Sequence, residues 1–445
     1  MECEVLIVGA GPGGYPCAIR CAQAGLKTIV VDEAAAGGTC LNIGCVPSKA
    51  LIHAAEEFDR LTRSSHPPLG INNDTPKLDF SVTQVWKDGI VAKLSGGVEG
   101  LLTRAGADLV KGRARFVDGK RIRLDDGREI TAKTVVIATG SAPVELPSLP
   151  FGVDVLSSTA ALALAEVPKR LAVVGAGYIG LELGTAFRKL GAEVTVIEAG
   201  ERILPSFDAA LVRPVAHRLG TLGVDVRTGA QAKGFSNGSL HTDQGDIKVD
   251  KVLVTVGRRP RTGGIGIEEL ALDMDGPFVR VNGRGETSMR GVYAVGDITG
   301  QPMLAHRATA QGEITAAHIC GKTTNWDKRA IPAICFTDPE IVSVGDGPDT
   351  NGCTSAEFPF AANGRALTLG RDDGFVRVVF RKADEAIMGV QAVGAGVAEL
   401  SAAFTLAIEM GARLDDLAET IHSHPTQSEA FQEAALRGLG RGLHL

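Results

Sequence analysis

The sequence predicts an α/β protein with two Rossmann-like domains, one inserted in the other, and a C-terminal α+β domain. Three observations predict it. A strand-like apolar run, a glycine-rich turn, a helix-like stretch and a second strand ending on an acid occur in that order twice, at 4–32 and 171–198. Each half later carries another strand that ends on glycine, Val135-Val-Ile-Ala-Thr139-Gly140 and Val252-Leu-Val-Thr-Val256-Gly257. After Pro332 the pattern changes to strand-like runs at 375–380 and 387–393 around an apolar helical stretch at 397–410, with no glycine-rich turn.

The first unit runs from Glu4-Val5-Leu6-Ile7-Val8 into Gly9-Ala-Gly11-Pro-Gly13-Gly14, then a helix from Tyr15 to Ala24 and a strand that closes on Asp32. The second runs from Leu171 to Val174 into Gly175-Ala-Gly177-Tyr-Ile-Gly180, a helix to about Leu190, and a strand that closes on Glu198. In both, the acid lies 18 residues beyond the last glycine of the turn. This is the dinucleotide-binding fingerprint. The first glycine permits the tight turn, the second lets backbone approach a pyrophosphate, and the third packs helix on strand. The helix N-terminus supplies partial positive charge, and the acid receives ribose hydroxyls. Two complete copies predict two bound dinucleotides. Ala199, not arginine, follows Glu198, so NAD is favoured over NADP, although Arg202 lies near. The strand Gly291-Val-Tyr-Ala-Val-Gly296-Asp297 ends on an acid suited to ribityl or phosphate contact.

The order of the motifs divides the chain into a first nucleotide domain at 1–150, an inserted one at 151–270, a return segment at 271–330 and a dimerisation domain at 331–445. A Pro-rich linker, 142–150, marks the exit.

Composition narrows the function classes. The formal charge of −6 and the lack of a basic block argue against nucleic acid and anionic membranes as partners. No run of 18 apolar residues is present, so no membrane-spanning helix is expected. The first strand starts at once, which predicts no targeting peptide. Eight cysteines in 445 residues are too few for a secreted disulfide scaffold, so a cytoplasmic location is expected and any disulfide is more readily catalytic than structural. The 56 glycines exceed the roughly 31 expected at about 7% usage, and many fall in the motifs above.

Between the fingerprints lies Gly37-Gly-Thr-Cys40-Leu-Asn-Ile-Gly-Cys45-Val-Pro47-Ser-Lys49. Pro47 suits the first position of a helix, which places Cys45 just before it, where the helix dipole favours thiolate. Lys49, one turn on, adds positive charge. Glycines 37, 38 and 44 are expected to let backbone approach a flat cofactor. A metal site lacks further ligands nearby, and no metal is expected. Cys17 and Cys21, at helical spacing, read as buried and inert. A redox disulfide of Cys40 and Cys45 beside a flavin accounts for the pair, the glycines and the nucleotide folds together. Disulfide exchange requires a base near neutral pH, and His424, with Glu429 to fix its tautomer, supplies one. A cis bond at 424–425 is also expected.

These motifs resemble the flavoprotein disulfide reductases, most closely the dihydrolipoamide dehydrogenases, and among them the bacterial form serving branched-chain 2-oxoacid dehydrogenase complexes. The likeness extends over essentially the whole chain and includes GGTCLNIGCVPSKAL, GAGYIGLELG, VGRRPRT, YAVGD, PMLAHRA, CFTDPE, FPFAANGRA and HPTQSE. It implies FAD on Gly9, Gly11, Gly14, Asp32, Gly140, Asp297 and Ala305, and NAD on Gly175, Gly177, Gly180, Glu198 and Gly257. It implies Cys40 as the interchange thiol, Cys45 as the thiol facing the flavin, Lys49 paired with Glu182 beside the flavin, and Tyr178 or Ile179 guarding the nicotinamide side. His424, held by Glu429, acts across the interface of a homodimer on the partner's disulfide. The implied reaction passes electrons from protein-bound dihydrolipoamide through the disulfide and FAD to NAD⁺, with a lipoyl domain and the core acyltransferase of a 2-oxoacid dehydrogenase complex as partners. Departures are Gln427 for an apolar residue, Asp32 for Glu, and a short 345–357 segment that puts a helix of the last domain in doubt. Glutathione reductase is the alternative that basic residues after the second fingerprint would favour. Mercuric reductase would carry a C-terminal cysteine pair, and the chain ends Gly442-Leu-His-Leu445 instead. A flavin-bound scaffold with an idle redox centre and a diaphorase or NADH oxidase that bypasses the disulfide are two further readings. Intact Cys40, Cys45, Lys49, His424 and Glu429 weigh against the scaffold.

Overall fold

The first apolar run forms β1 (Glu2–Val8) in the computed structural model, which describes residues 1–62 and 76–444. Its side chains alternate across a pleat, so Leu6 and Val8 enter one core while Val5 and Ile7 enter another. α1 (Gly14–Gln23) covers the second core and buries Cys17, Ala18 and Cys21 there. β2 (Thr28–Asp32) lies parallel to β1. The chain continues through α2 (Gly38–Ile43), α3 (Cys45–Thr62) and α4 (Phe80–Ala105), the last begun by Asp79, whose carboxylate accepts from the Ser81 and Val82 amides. β3 (Ala107–Lys111), β4 (Ala114–Asp118), β5 (Arg121–Leu124) and β6 (Glu129–Ile137) complete a sheet of order β3-β2-β1-β6-β5-β4. β6 runs parallel to β1 and antiparallel to β5. β7 (Ser141–Pro143) follows.

The second unit repeats this plan. β8 (Val155–Leu156), α5 (Ser158–Leu162), β9 (Arg170–Val174), α6 (Tyr178–Lys189), β10 (Glu193–Glu198), α7 (Ala209–Leu222) and β11 (Asp225–Thr228) lead into an antiparallel meander of β12 (Ala232–Ser236), β13 (Ser239–Thr242) and β14 (Gly245–Lys248). β15 (Lys251–Val254) then enters the parallel sheet, of order β11-β10-β9-β15-β8. Along β9, Leu171 and Val173 face one core and Ala172 and Val174 the other.

β16 (Arg258–Pro260) returns antiparallel to β7, pairing Ser141 with Pro260 and Pro143 with Arg258. After the small hairpin of β17 (Met274–Asp275) and β18 (Phe278–Val279), β19 (Val292–Ala294) lies parallel to β6 and so rejoins the first sheet. α8 (Ala305–Ile319) packs on α1 closely enough that a Cβ on Gly312 would stand 2.3 Å from the Gly13 carbonyl oxygen.

The last part is one antiparallel sheet of order β20-β21-β24-β23-β22, made from β20 (Ala333–Cys335), β21 (Glu340–Gly345), β22 (Cys353–Pro359), β23 (Phe375–Arg381) and β24 (Ile387–Gly394). α9 (Gly364–Thr368), α10 (Ser401–Glu409), α11 (Leu414–Glu419) and α12 (Glu429–Gly438) accompany it, and Phe404 of α10 meets Phe431 of α12 edge to face at 4.7 Å. The short 345–357 segment holds a turn between β21 and β22 and no helix. Among the described residues, no helix is long and apolar enough to cross a membrane.

Candidate active site

Both glycine-rich turns are built by the same contacts. Gly9 and Gly175 have φ of +110° and +98°, and a Cβ there would collide with the Ala138 and Thr255 carbonyl oxygens at 2.2 and 2.8 Å. Gly14 and Gly180 lie against the Gly9 and Gly175 carbonyl oxygens, which a Cβ would meet at 1.8 and 2.3 Å. Asp32 accepts from the Ala10 amide at 2.7 Å and the Ala34 amide at 2.9 Å. Glu198 accepts from Ala176 and Gly200, each at 2.7 Å.

The middle glycines differ from their neighbours. A Cβ on Gly177, which has an ordinary φ of −75°, would meet no protein atom within 4 Å, and one on Gly11 would meet only Gly38 Cα at 3.8 Å. The protein's own packing does not require glycine at either place, and the space left there suits the close approach of a ligand. Neither α1 nor α6 has a side-chain N-cap; in α1 the Gly14 and Tyr15 amides donate to the Gly11 carbonyl at 2.9 and 3.0 Å, so the positive end of each helix still faces its turn without a capping side chain. These turns, amides and acids fit two dinucleotides. Arg202 donates to the Phe207 and Pro205 carbonyls at 2.9 and 2.8 Å, which ties its guanidinium down and removes it as a phosphate receiver.

Gly140 and Gly257 stand at opposite ends of the β7–β16 pair, where their carbonyls accept from the Arg261 and Val144 amides at 2.9 and 3.0 Å. Arg258 donates to Ser141 Oγ at 2.8 Å, and Ser141 donates to Asp297. Ala305 opens α8, which likewise has no side-chain cap.

The cysteine segment departs from expectation in two respects. Cys45 is the first residue of α3 and Pro47 stands in the first turn, where its missing N–H still costs nothing because those amides have no intrahelical partner. Cys40 lies in α2, a six-residue helix broken from α3 at Gly44. Glycines 37, 38 and 44 are packed against protein. A Cβ on Gly38 would meet Gly11 Cα at 2.5 Å, one on Gly37 would meet Leu41, and one on Gly44 the Thr39 carbonyl oxygen at 2.8 Å. The segment thus folds down on the first fingerprint.

Cys40 and Cys45 are free thiols in hydrogen-bond contact. The Cys40 thiol donates to Cys45 and, with Lys49 nearby, lowers the Cys45 pKa to about 7; the same bond, together with burial, raises that of Cys40. Lys49 Nζ meets Glu182 Oε2 at 2.7 Å, and Glu182 is 3% exposed. Tyr178 and Ile179 open α6 on the same side.

His424 forms a separate centre. Its Nδ1 lies 2.8 Å from Glu429 Oε1, while the Thr426 amide donates to Glu429 Oε2 at 2.7 Å. Burial opposes ionisation of Glu429, but the Thr426 amide and His424 together hold its pKa below the usual range. The 424–425 peptide is cis. Gln427, the departure beside the base, donates to the Ala395 carbonyl at 2.6 Å and is thereby anchored. Among the described residues, no hydrogen bond or ion pair joins His424 to the cysteines. Its side chain is 80% exposed, and Leu406, Met410 and Ile421 of the same domain are exposed too. No group of three or more His, Cys, Asp or Glu among the described residues is arranged as a metal site.

Sequence reasoning missed Phe336, Ser141 and Arg258. Phe336 lies in CFTDPE, a recognised motif whose individual residues had no assigned role.

Residues 3–312 match the pyridine nucleotide-disulphide oxidoreductase model, and residues 331–435 match the dimerisation domain of the same family. The chain is 52% identical to a dihydrolipoyl dehydrogenase of Pseudomonas aeruginosa, with 100% of this chain and 99% of the relative covered. It is 42% identical to one of Bacillus subtilis, with 100% and 98% covered. The crystal structure of LpdA from Mycobacterium tuberculosis superposes with a TM-score of 0.91 at 28% identity, covering 98% of this chain and 99% of that one. Paired fingerprints, adjacent thiols and a matching dimerisation domain agree: the chain belongs to the pyridine nucleotide-disulphide oxidoreductase family and pairs with a second copy of itself.

Proposed function

We propose that the chain oxidises protein-bound dihydrolipoamide with NAD⁺ through a Cys40–Cys45 disulfide, as a component of a 2-oxoacid dehydrogenase complex. FAD and NAD are its cofactors. The observation that carries this reading is the contact of Cys40 with Cys45 beside Lys49 and its buried partner Glu182. Near-identical length and identities of 42–52% to dihydrolipoyl dehydrogenases support it.

The substrate thiolate attacks Cys40 Sγ and the disulfide breaks, so that Cys45 leaves as thiolate beside Lys49. The second substrate thiol then attacks the substrate sulfur bonded to Cys40, closing the lipoyl disulfide and releasing the Cys40 thiol. His424 Nε2, with Nδ1 directed at Glu429, takes the proton from the attacking thiol. Since His424 is exposed on its own chain, it serves the disulfide of the second subunit, and the apolar Leu406, Met410 and Ile421 are covered there. Bound FAD supplies the redox chemistry that carries two electrons from the dithiol to NAD⁺. Gly9, Gly11, Gly14, Asp32, Gly140, Asp297 and Ala305 would hold FAD, and Gly175, Gly177, Gly180, Glu198 and Gly257 would hold NAD. The four-segment division at 150, 270 and 330, the lipoyl domain and core acyltransferase as partners, and a cytoplasmic location belong to the same proposal.

The test is steady-state turnover with NADH or NADPH against lipoamide, oxidised glutathione and mercuric ion. Lipoamide with NADH is expected to be fastest by at least about tenfold; equal rates with glutathione would overturn the assignment. His424→Gln is expected to slow lipoamide turnover by about 10²-fold or more while NADH-to-dye transfer continues. Equal loss in both would remove the base role.

A further inference from the structure

The Lys49–Glu182 pair is closed off by a segment of the last domain that has no part in the exchange chemistry. Phe336, directly after β20, donates its backbone N–H to Glu182 Oε1 at 2.9 Å. Its ring centroid lies 4.4 Å from Lys49 Nζ. Glu182 therefore has both oxygens engaged, one by Phe336 and one by Lys49, and the ammonium sits between a carboxylate and an aromatic face. A cation over a ring is drawn to the negative face of its quadrupole.

The segment is firmly anchored. Buried Asp338 meets Lys189 at 2.9 Å, Arg218 at 3.0 Å and Arg371 at 2.6 Å, and Thr337 donates to the Pro339 carbonyl at 2.8 Å. Lys189 and Arg218 belong to α6 and α7, so the loop is bolted to the unit that carries Glu182. The groups facing Cys45 are Cys40 on α2, Lys49 on its own helix, and Glu182 and Tyr178 on α6. Lys49 is the cation among them, and none of the others replaces its charge.

We propose that Phe336 is a positioning residue of the thiol–disulfide reaction, its ring facing the Lys49 ammonium and its amide fixing Glu182, so that the ammonium stays beside Cys45. The inference rests on the roles given above to Cys45 and Lys49. Phe336→Leu keeps the amide and much of the bulk but removes the π face, whereas Phe336→Tyr keeps the ring. The readout is the ultraviolet thiolate absorbance of the dithiol holoenzyme against pH. Phe336→Leu is expected to raise the midpoint by about half a unit, roughly a threefold loss of thiolate below it, and Phe336→Tyr to keep the wild-type profile. Lys49→Met is the reference and is expected to raise it further. If Lys49→Met moves the midpoint and Phe336→Leu does not, the proposal falls and the role of Lys49 stands. If Lys49→Met moves nothing, the underlying reading falls. Equal shifts in the Leu and Tyr variants would mark a packing effect and overturn the proposal as well.

Discussion

The two nucleotide units share their internal mechanics and differ in what lies above them. In each, a strand-end acid grips the amide after the first glycine, and the third glycine rests on the carbonyl of the first. In the first unit, the Gly37–Cys40 stretch folds onto Gly11, and α8 closes on α1. In the second, Gly177 faces open space. A covered crevice suits a cofactor that stays, and an open one suits a cofactor that enters and leaves each cycle. The same fingerprint thus serves two kinetic roles, and the surroundings decide which.

The largest effect expected from breaking this symmetry is at Gly14. A methyl there meets a carbonyl oxygen at 1.8 Å, so Gly14→Ala is expected to cost about 3 kcal/mol or more and to release FAD, measurable by thermal unfolding and flavin absorbance. Gly177→Ala separates ligand from fold: KM for NAD⁺ is expected to rise about tenfold, with stability changed by less than about 0.5 kcal/mol. A fall in Tm like that of Gly14→Ala would erase the distinction between covered and open turns. The thiol centre between the units supplies a pH test. With its pKa near 7, Cys45 in the dithiol form is about 90% thiolate at pH 8 and about 9% at pH 6, so electron delivery is expected to fall about tenfold as pH drops across that window. Rapid-reaction oxidation of the dithiol enzyme by NAD⁺ would check this, and a flat profile would deny Cys45 its role. The smallest effect is one of preference. Glu198→Arg is expected to improve the NADPH-to-NADH rate ratio by several-fold, up to about tenfold, because a cation replaces a carboxylate where a 2′-phosphate would lie.

Much of this was legible in the sequence because it is local. Each fingerprint closes within about thirty residues, and the pairing of Cys40 with Cys45 is a matter of five positions. The tie between Lys49 and Glu182 was reached only through family resemblance, since nothing local joins residues 133 apart. Phe336 and Ser141 stayed hidden for the same reason: their partners Glu182 and Asp297 lie 154 and 156 residues away, and packing between distant segments brings them together. α2 was missed because six residues with glycine at one end carry little helical propensity, and packing over Gly11 stabilises it instead.

The pairing of β7 with β16 has a consequence for how the chain was assembled. The strand that leaves the first unit and the strand that returns to it run side by side, one backbone spacing apart. The chain between residues 144 and 257 therefore leaves and returns through a single two-stranded pair, its ends held together by the host, while α6 and α7 pack against α3 and the last domain. Such a graft adds little closure entropy to the folding of the unit that carries it.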